Sequence, residues 1–577
     1  MLEPTPRPPG PGGEEPGVDH RHRVASARGG GPSRGPRTSQ WAATRARWQR
    51  AWQRLSDRRY FDLALVTLLV ALSLGLRYRE LWTSYWGDEA IAIGIASQPV
   101  SSLPHFLVND GSPPLYYLML HYWMALFGRS ELATHILSMV PALAAVPAAW
   151  WSGAKLFGHW AARAAAALVA TCAYLDYYAT ETRMYSWLVL VAILAITCFV
   201  LAFREGGRRY WAASTVLMAA ALYLQYYSLY LLFATALTGV AGALRCRSRA
   251  RLRATVLYTL ACAAAFAPWA PQFLFQVEHT GAPWAPHPTV LDFFGDAFNA
   301  LASAGWPGVV FAIGAAVLVT KWAIHPARTP ALAFERELPS ALALATAVPL
   351  VTLVTAWLGA QLVNSWNPRY LGIAVVPVLV ALAGGLARAR WRSVAALVAV
   401  LAMAATAIPV LVDRPVTVET RKSDVAYLLG ELRPQLHRGA LVISAEVTDT
   451  PVVALDLGKG YRYATPFGPL ASPLVVDWSG LPTRLQKINA ATNLGRLLAS
   501  VPVGGQVLLV NPTTWSGSET PERYAGPVEA EGIAANGEVV EDPDLMPEET
   551  LVVPSYSVPL YPMTVKLFIK VRAASGR

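Results

Sequence analysis

The chain is built from apolar runs long enough to cross a lipid bilayer. A helix needs about 20 consecutive apolar residues to span the hydrocarbon core. Eleven such runs occur, near residues 61–78, 132–152, 161–178, 185–203, 211–225, 228–244, 254–275, 303–322, 340–361, 370–387 and 393–412. The fifth and sixth form one long stretch, divided here at Gln225-Tyr226-Tyr227-Ser228, where polar and aromatic side chains interrupt it. Composition agrees: 54% of residues are hydrophobic and only 15% charged, against about 25% charged in soluble domains. A simple soluble globule and a largely disordered chain are excluded. Four Cys in 577 residues exclude a disulfide-dense secreted scaffold.

The formal net charge of +11 would suit nucleic acid if it formed a patch. Instead it lies in an N-terminal tail and in short loops between apolar runs, the pattern that reports membrane topology. No nucleic-acid partner is expected. Residues 1–60 hold twelve Arg, no Lys and five acidic residues, a net of +7. Pro and Gly fill the first 40 positions without apolar period, which reads as disorder. Residues 41–59, with Trp41, Trp48 and Trp52, read either as a basic helix on an anionic membrane surface or as a solvated positive-inside anchor, and the second is favoured. The first apolar run starts near Phe61 with no A-x-A site after it, so a cleaved signal peptide is not expected.

With the tail in the cytoplasm and sides alternating, every even-numbered gap is basic. These gaps hold Lys155, Arg204, Arg208, Arg209, Arg245, Arg247, Arg249, Arg251, Arg253, Lys321, Arg328, Arg336, Arg388, Arg390 and Arg392. The odd-numbered gaps fall outside, are poor in Lys and Arg, and carry most of the notable polar residues. The expected organisation is a cytoplasmic tail (1–60), a multi-pass plasma-membrane core (61–412) and an extracytoplasmic domain (413–577).

In that last domain, 422–436 reads as an amphipathic helix, 440–446 and 506–510 as buried strands, 484–500 as a helix and 562–572 as a final strand. This is a small α/β domain. Its Tyr461, Tyr463, Trp478 and Trp515 read as core or rim aromatics, or as platforms for sugar rings.

Chemistry-bearing residues gather in the outer gaps. Asp88 and Glu89 lie just past the first span, where carboxylates are costly unless solvated, paired or used. Three readings stand: a general base for an acceptor hydroxyl, a weak divalent-cation site, or a helix N-terminus with Asp88 as cap and Glu89 favouring the dipole. Pro113-Pro114 starts a helix whose Tyr116, Tyr117, Tyr122 and Trp123 suit the membrane interface. Asp176, Glu181 and Arg183 share a short loop with Tyr174, Tyr177, Tyr178 and Tyr185. It reads as a structural ion pair or as a rim for hydroxylated groups. Glu278, His279, Trp284 and His287 follow the seventh span, and the two His lack the spacing of a helical zinc pair. Arg369 and Tyr370 stand at the membrane surface on the outer side, against the positive-inside trend. An Arg fork there suits a lipid-linked phosphate, ordinary headgroups, or a partner among Asp88 and Glu89.

Four motifs, in this order and on one side, resemble the GT-C glycosyltransferases, in particular the protein O-mannosyltransferase and aminoarabinose-transferase group. They are Trp86-Gly87-Asp88-Glu89-Ala90, Pro113-Pro114-Leu115-Tyr116-Tyr117, Glu181-Thr182-Arg183-Met184-Tyr185 and Pro368-Arg369-Tyr370. The resemblance covers about residues 60–412. It implies a GT-C fold with about 11 transmembrane helices, and transfer of a sugar such as mannose or arabinofuranose from a polyprenyl-phosphate donor to an extracytoplasmic glycan, lipid or protein. It implies Asp88 as base with Glu89 as second carboxylate, and Arg369 with Arg183 on the donor phosphate. Glu181, Tyr116, Tyr185 and Tyr370 would bind substrate. Beside this resemblance, the two adjacent carboxylates are compatible with a divalent cation (Mg, Mn or Ca). Ser112 departs from the family, where a His or larger polar residue often precedes the Pro pair. The competing class is a transporter of a lipid-linked sugar, which would show internal repeats and mid-span polar residues. Neither is found.

Overall fold

The computed structural model describes residues 58–280, 282, 285, 287–302, 338–387, 422–513, 522–552 and 562–573. The chain divides into two compact units, Met1–Phe61 and Asp62–Arg577. Of the first, only residues 58–61 are described, and they begin the first helix. The second holds the helix bundle, the candidate site and a mixed sheet. The expected spans at 303–322 and 393–412, with Trp284 and Trp515, lie outside the described residues.

Seven described helices are long and apolar enough to cross a bilayer, and the pair Gly87–Ala96 and Val100–Asp110, bent by 115°, would make eight. Tyr185–Glu205 lies at the centre of the bundle, buried nearly all round. It packs against Glu131–Phe157, Arg208–Leu224 and Gly372–Leu386. The division of the long apolar stretch is realised: one helix ends at Leu224 and the next begins at Ser228. Gln225 leaves helical geometry there, and its side chain accepts the amide of Tyr227.

The expected single span at 161–178 is instead two helices, His159–Ala170 and Ala173–Tyr178. The physical reason is Arg77. Its buried guanidinium donates to the carbonyls of Ala170 (2.9 Å), Cys172 (3.2 Å) and Leu175 (3.1 Å), and pairs with Asp176 at 2.8 Å. A cation that takes up freed carbonyls removes the main cost of breaking a helix in an apolar setting.

Beyond the bundle lies a six-stranded sheet: β1 (Leu441–Ser444), β2 (Arg462–Thr465), β3 (Gly468–Pro469), β4 (Gln506–Pro512), β5 (Leu545–Val552) and β6 (Met563–Lys570). Its order is β3-β2-β1-β4-β6-β5. β1 runs parallel to both β2 and β4, and the remaining pairs are antiparallel. β1 and β4 are buried along their whole length, as strands covered on both faces must be. The expected strands at 440–446, 506–510 and 562–572 are β1, β4 and β6. The expected helix at 422–436 shortens to Val425–Leu432. The one at 484–500 splits into Leu481–Leu485 and Ala490–Ala499, because Asn489 caps a new start by accepting the amide of Thr492 at 2.8 Å.

The sheet domain rests on the bundle end that carries Asp88. The amide of Trp478 donates to Asn109 O (3.0 Å) and that of Gly480 to His279 O (2.8 Å). The Thr450–Leu457 helix packs on Gly87–Ala96. Tyr463 belongs to the core, with its hydroxyl donating to Gly458 O at 2.7 Å.

Candidate active site

Trp86, in extended conformation, is the N-cap of the Gly87–Ala96 helix, so Asp88 occupies the second helical position rather than the cap. Successive helical residues point about 100° apart. Asp88 and Glu89 therefore diverge. Asp88 stays 22% exposed at the rim and pairs with Arg369. Glu89 is fully buried.

Glu89 is a hub. Its Oε1 lies 2.9 Å from His135 Nε2 and accepts the Thr182 amide at 2.7 Å. Lys422 Nζ donates to both of its oxygens, at 3.0 and 3.1 Å. His135 is fixed from its other side, where Nδ1 donates to Leu81 O at 2.9 Å. All of these partners are buried, so Glu89 shapes the site from behind.

Arg369 enters from a single helical turn, Pro368–Leu371, that leads into Gly372–Leu386. Asn367 starts the turn, its Oδ1 accepting both the amide and Nε of Arg369 at 3.0 Å. The guanidinium lies 5.8 Å from the Trp86 ring and 5.9 Å from the Tyr370 ring. Aromatic faces on two sides hold the fork in place while Asp88 takes one edge.

The connection at 179–184 brings the third group. Glu181 Oε1 accepts from Trp86 Nε1 at 3.1 Å. Its Oε2 is buried and has no hydrogen-bond partner among the described residues. Burial, then the negative charge of Glu89, raises its carboxyl to about 8. Glu181 therefore holds its proton more tightly than an ordinary carboxyl does. Arg183 reaches Asp88 O (3.4 Å) and Tyr117 Oη (3.5 Å), and its Nε has no partner among the described residues. The Tyr185 hydroxyl is likewise buried and unpartnered, and its ring lies 6.0 Å from Arg183 and 6.4 Å from Tyr370. Buried polar atoms without partners are rare in folded proteins. The Glu181 and Tyr185 atoms lie close to the Arg183 and Arg369 guanidinium groups. Tyr116 is fully buried beneath the same rim.

The structure thus brings Asp88, Glu181, Arg183, Tyr185, Arg369 and Tyr370 together. It removes Asp176 to Arg77 and leaves His279 stacked on Phe275. His287 hydrogen-bonds Ala360 O. Sequence reasoning placed Trp86 in a motif without a role of its own, and missed His135, Asp110 and Lys422. Asp110 accepts from Tyr117 Oη at 2.9 Å, and it lies three residues ahead of the Pro pair, so proximity to a motif was the available signal. Lys422 had none: a lysine at the start of the expected amphipathic helix reads as solvated. For a metal the fit is poor. Asp88 and Glu89 are each taken by their own cations, and among the described residues no three His, Cys, Asp or Glu side chains converge to hold an ion.

Residues 111–274 match the family model described as dolichyl-phosphate-mannose-protein mannosyltransferase. The structure is similar to that of ArnT from Cupriavidus metallidurans in the apo state, at 15% identity over 88% of this chain and 98% of that chain, with a TM-score of 0.55. It is also similar to ArnT of that organism bound to undecaprenyl phosphate (14% identity, 88% and 97% covered, TM-score 0.49). Arabinofuranosyltransferase AftD from Mycobacteria gives 13% identity over 89% of this chain and 40% of that chain, with a TM-score of 0.49. No curated protein matches the sequence significantly.

Proposed function

We propose that this GT-C-fold chain is a membrane glycosyltransferase. It moves a sugar, a hexose or pentose such as mannose or arabinofuranose, from a polyprenyl-phosphate donor to a hydroxyl of a cell-envelope glycan, lipid or protein on the extracytoplasmic face. The observation that carries this reading is the half-buried Asp88–Arg369 pair beside Arg183, with Glu181 Oε2 and the Tyr185 hydroxyl, unpartnered among the described residues, at its edge. The family model over 111–274 supports a phospho-lipid sugar as donor.

The geometry suggests an order of events. The donor phosphate replaces Asp88 on the Arg369 fork, with Arg183 as second cation. Asp88 is then a free carboxylate within reach of the acceptor. It takes the proton of the acceptor hydroxyl as that oxygen attacks C1 of the sugar. The C1–O bond to phosphate breaks, polyprenyl phosphate leaves on the two guanidinium groups, and the anomeric carbon inverts. Glu181, Tyr116, Tyr185 and Tyr370 hold the sugar, and Glu89 braces the site.

The test uses purified full-length protein in nanodiscs, with radiolabelled polyprenyl-phosphate mannose or arabinofuranose and mixed envelope acceptors. Wild type should move label from lipid to acceptor. Asp88→Asn should lose about 10²–10⁴-fold in rate, the usual worth of a general base, while still binding donor. Near-wild-type turnover in Asp88→Asn overturns the base assignment. Label crossing a sealed vesicle without any transfer would point to a carrier of the lipid-linked sugar instead.

A further inference from the structure

Lys422 opens the described part of the C-terminal domain, two residues before the Asp424 that precedes the Val425–Leu432 helix. Yet its side chain is buried in the membrane bundle, 1% of the residue being exposed. An ammonium carries three donors and no acceptor. Here they meet the two oxygens of Glu89 and the carbonyl of Thr180, the last at 2.6 Å. Glu89 in turn accepts the amide of Thr182. Glu181 is thus bracketed on both sides. Thr180 is held by Lys422 directly, and Thr182 is held through the carboxylate that Lys422 neutralises. Within the same turn the Arg183 amide donates to Glu181 O at 2.7 Å.

The energetics fit a geometric role better than a stabilising one. Burying an ammonium and a carboxylate together costs roughly what their attraction returns, and apolar pairs of like volume often hold structures as well. What an apolar pair cannot do is fix a carbonyl and an amide on either side of one residue. Glu181 is otherwise held by Trp86 Nε1 and Arg183 by Asp88 O and Tyr117 Oη, while Glu181 Oε2 and Arg183 Nε have no partner among the described residues, so the set of the backbone that carries them bears directly on where they lie.

We propose that Lys422 is a positioning residue for sugar transfer, by which the C-terminal domain holds the loop carrying Glu181 and Arg183 in its working shape. This rests on the functional reading above, and it makes the domain a working part of the site rather than a cover. Lys422 touches no substrate and acts through Glu89 and Thr180.

The test is a double-mutant cycle on the full chain with Lys422→Met, Glu89→Gln and the double variant, assayed with the same labelled lipid donors. Hydrogen exchange of the 179–184 amides is followed in parallel. Lys422→Met should lose at least about tenfold in kcat/KM. The double variant leaves no uncompensated buried charge, so it should fold, and it should lose no more than the worse single variant, as residues acting as a unit do. The 180–183 amides should exchange at least about tenfold faster in Lys422→Met, with β1 unchanged, because an opened loop loses protection locally. Losses that multiply across the cycle, or loop protection equal to wild type, overturn the proposal. If wild type moves no label, the functional reading fails, and the exchange measurement still decides whether Lys422 holds the loop.

Discussion

At the scale of single residues, two adjacent carboxylates have opposite fates because a helix turns about 100° per residue. Asp88 reaches the rim and Arg369, and Glu89 reaches the interior and Lys422. Sequence placed both at the site and could not say which one substrate meets. Glu181 was legible as a polar group among tyrosines, but its protonation was not. Burial and the charge of Glu89 raise its carboxyl from the ordinary 4.5 to about 8. The folded state therefore keeps a proton that the unfolded chain loses, so this group's contribution to stability falls as pH rises from about 4.5 to 8. In the proposed reaction its Oε2 would donate a hydrogen bond below about 8 and set a negative charge beside the donor phosphate above it. Transfer should accordingly decline as pH rises through about 8. Glu181→Gln, which keeps a donor and the acceptor for Trp86, should stay within a few-fold of wild type and abolish the decline. Glu181→Ala should lose about 10–100-fold at pH 7, the worth of a hydrogen bond to a charged group. A pH–rate profile from 6 to 9.5 checks this, and an alkaline decline unchanged in Glu181→Gln would assign it to another group.

At the scale of elements, hydropathy found the helices because lipid rewards continuous apolar length, and it found their ends wherever a polar cluster interrupts. The break at Gln225–Ser228 is of that kind. The break at Thr171–Cys172 is not, for the sequence there is apolar and its cause, Arg77, lies 95 residues away from Cys172. Asp176 looked like a loop residue near the site for the same reason: its partner is remote in sequence. Arg77→Met would leave the carbonyls of Ala170, Cys172 and Leu175 and the Asp176 carboxylate without their cation. The expected cost is about 3–5 kcal/mol, typical of removing one partner from a buried pair. It is read as a lowered thermal midpoint in detergent, and an unchanged midpoint would mean that these groups find other donors.

At the scale of the whole molecule, the sheet domain and the helix bundle meet with little room to spare. A Cβ added at Gly94 would lie 1.8 Å from the carbonyl oxygen of Leu474. Backbone cannot yield as a flexible side chain can, so Gly94→Ala should push the domain away from the Gly87–Ala96 helix. Protease should then cut within 470–480 and transfer should fall, with the sheet itself intact by circular dichroism. Cutting and transfer equal to wild type would show that the contact has slack. By itself the sequence determined a many-pass helical membrane protein, a mixed α/β domain after it, and four motifs that share one end of the bundle. These follow from local causes: apolar length, alternation, and residue types beside span ends. Only the tertiary structure decided that Lys422 reaches Glu89 across 333 positions, that Arg369 takes Asp88, and that β1 lies between β2 and β4. Charge pairing and strand order depend on which surfaces meet in space. The free energy of a buried charge is set by the partner it finds there, and no local pattern in the chain encodes that meeting.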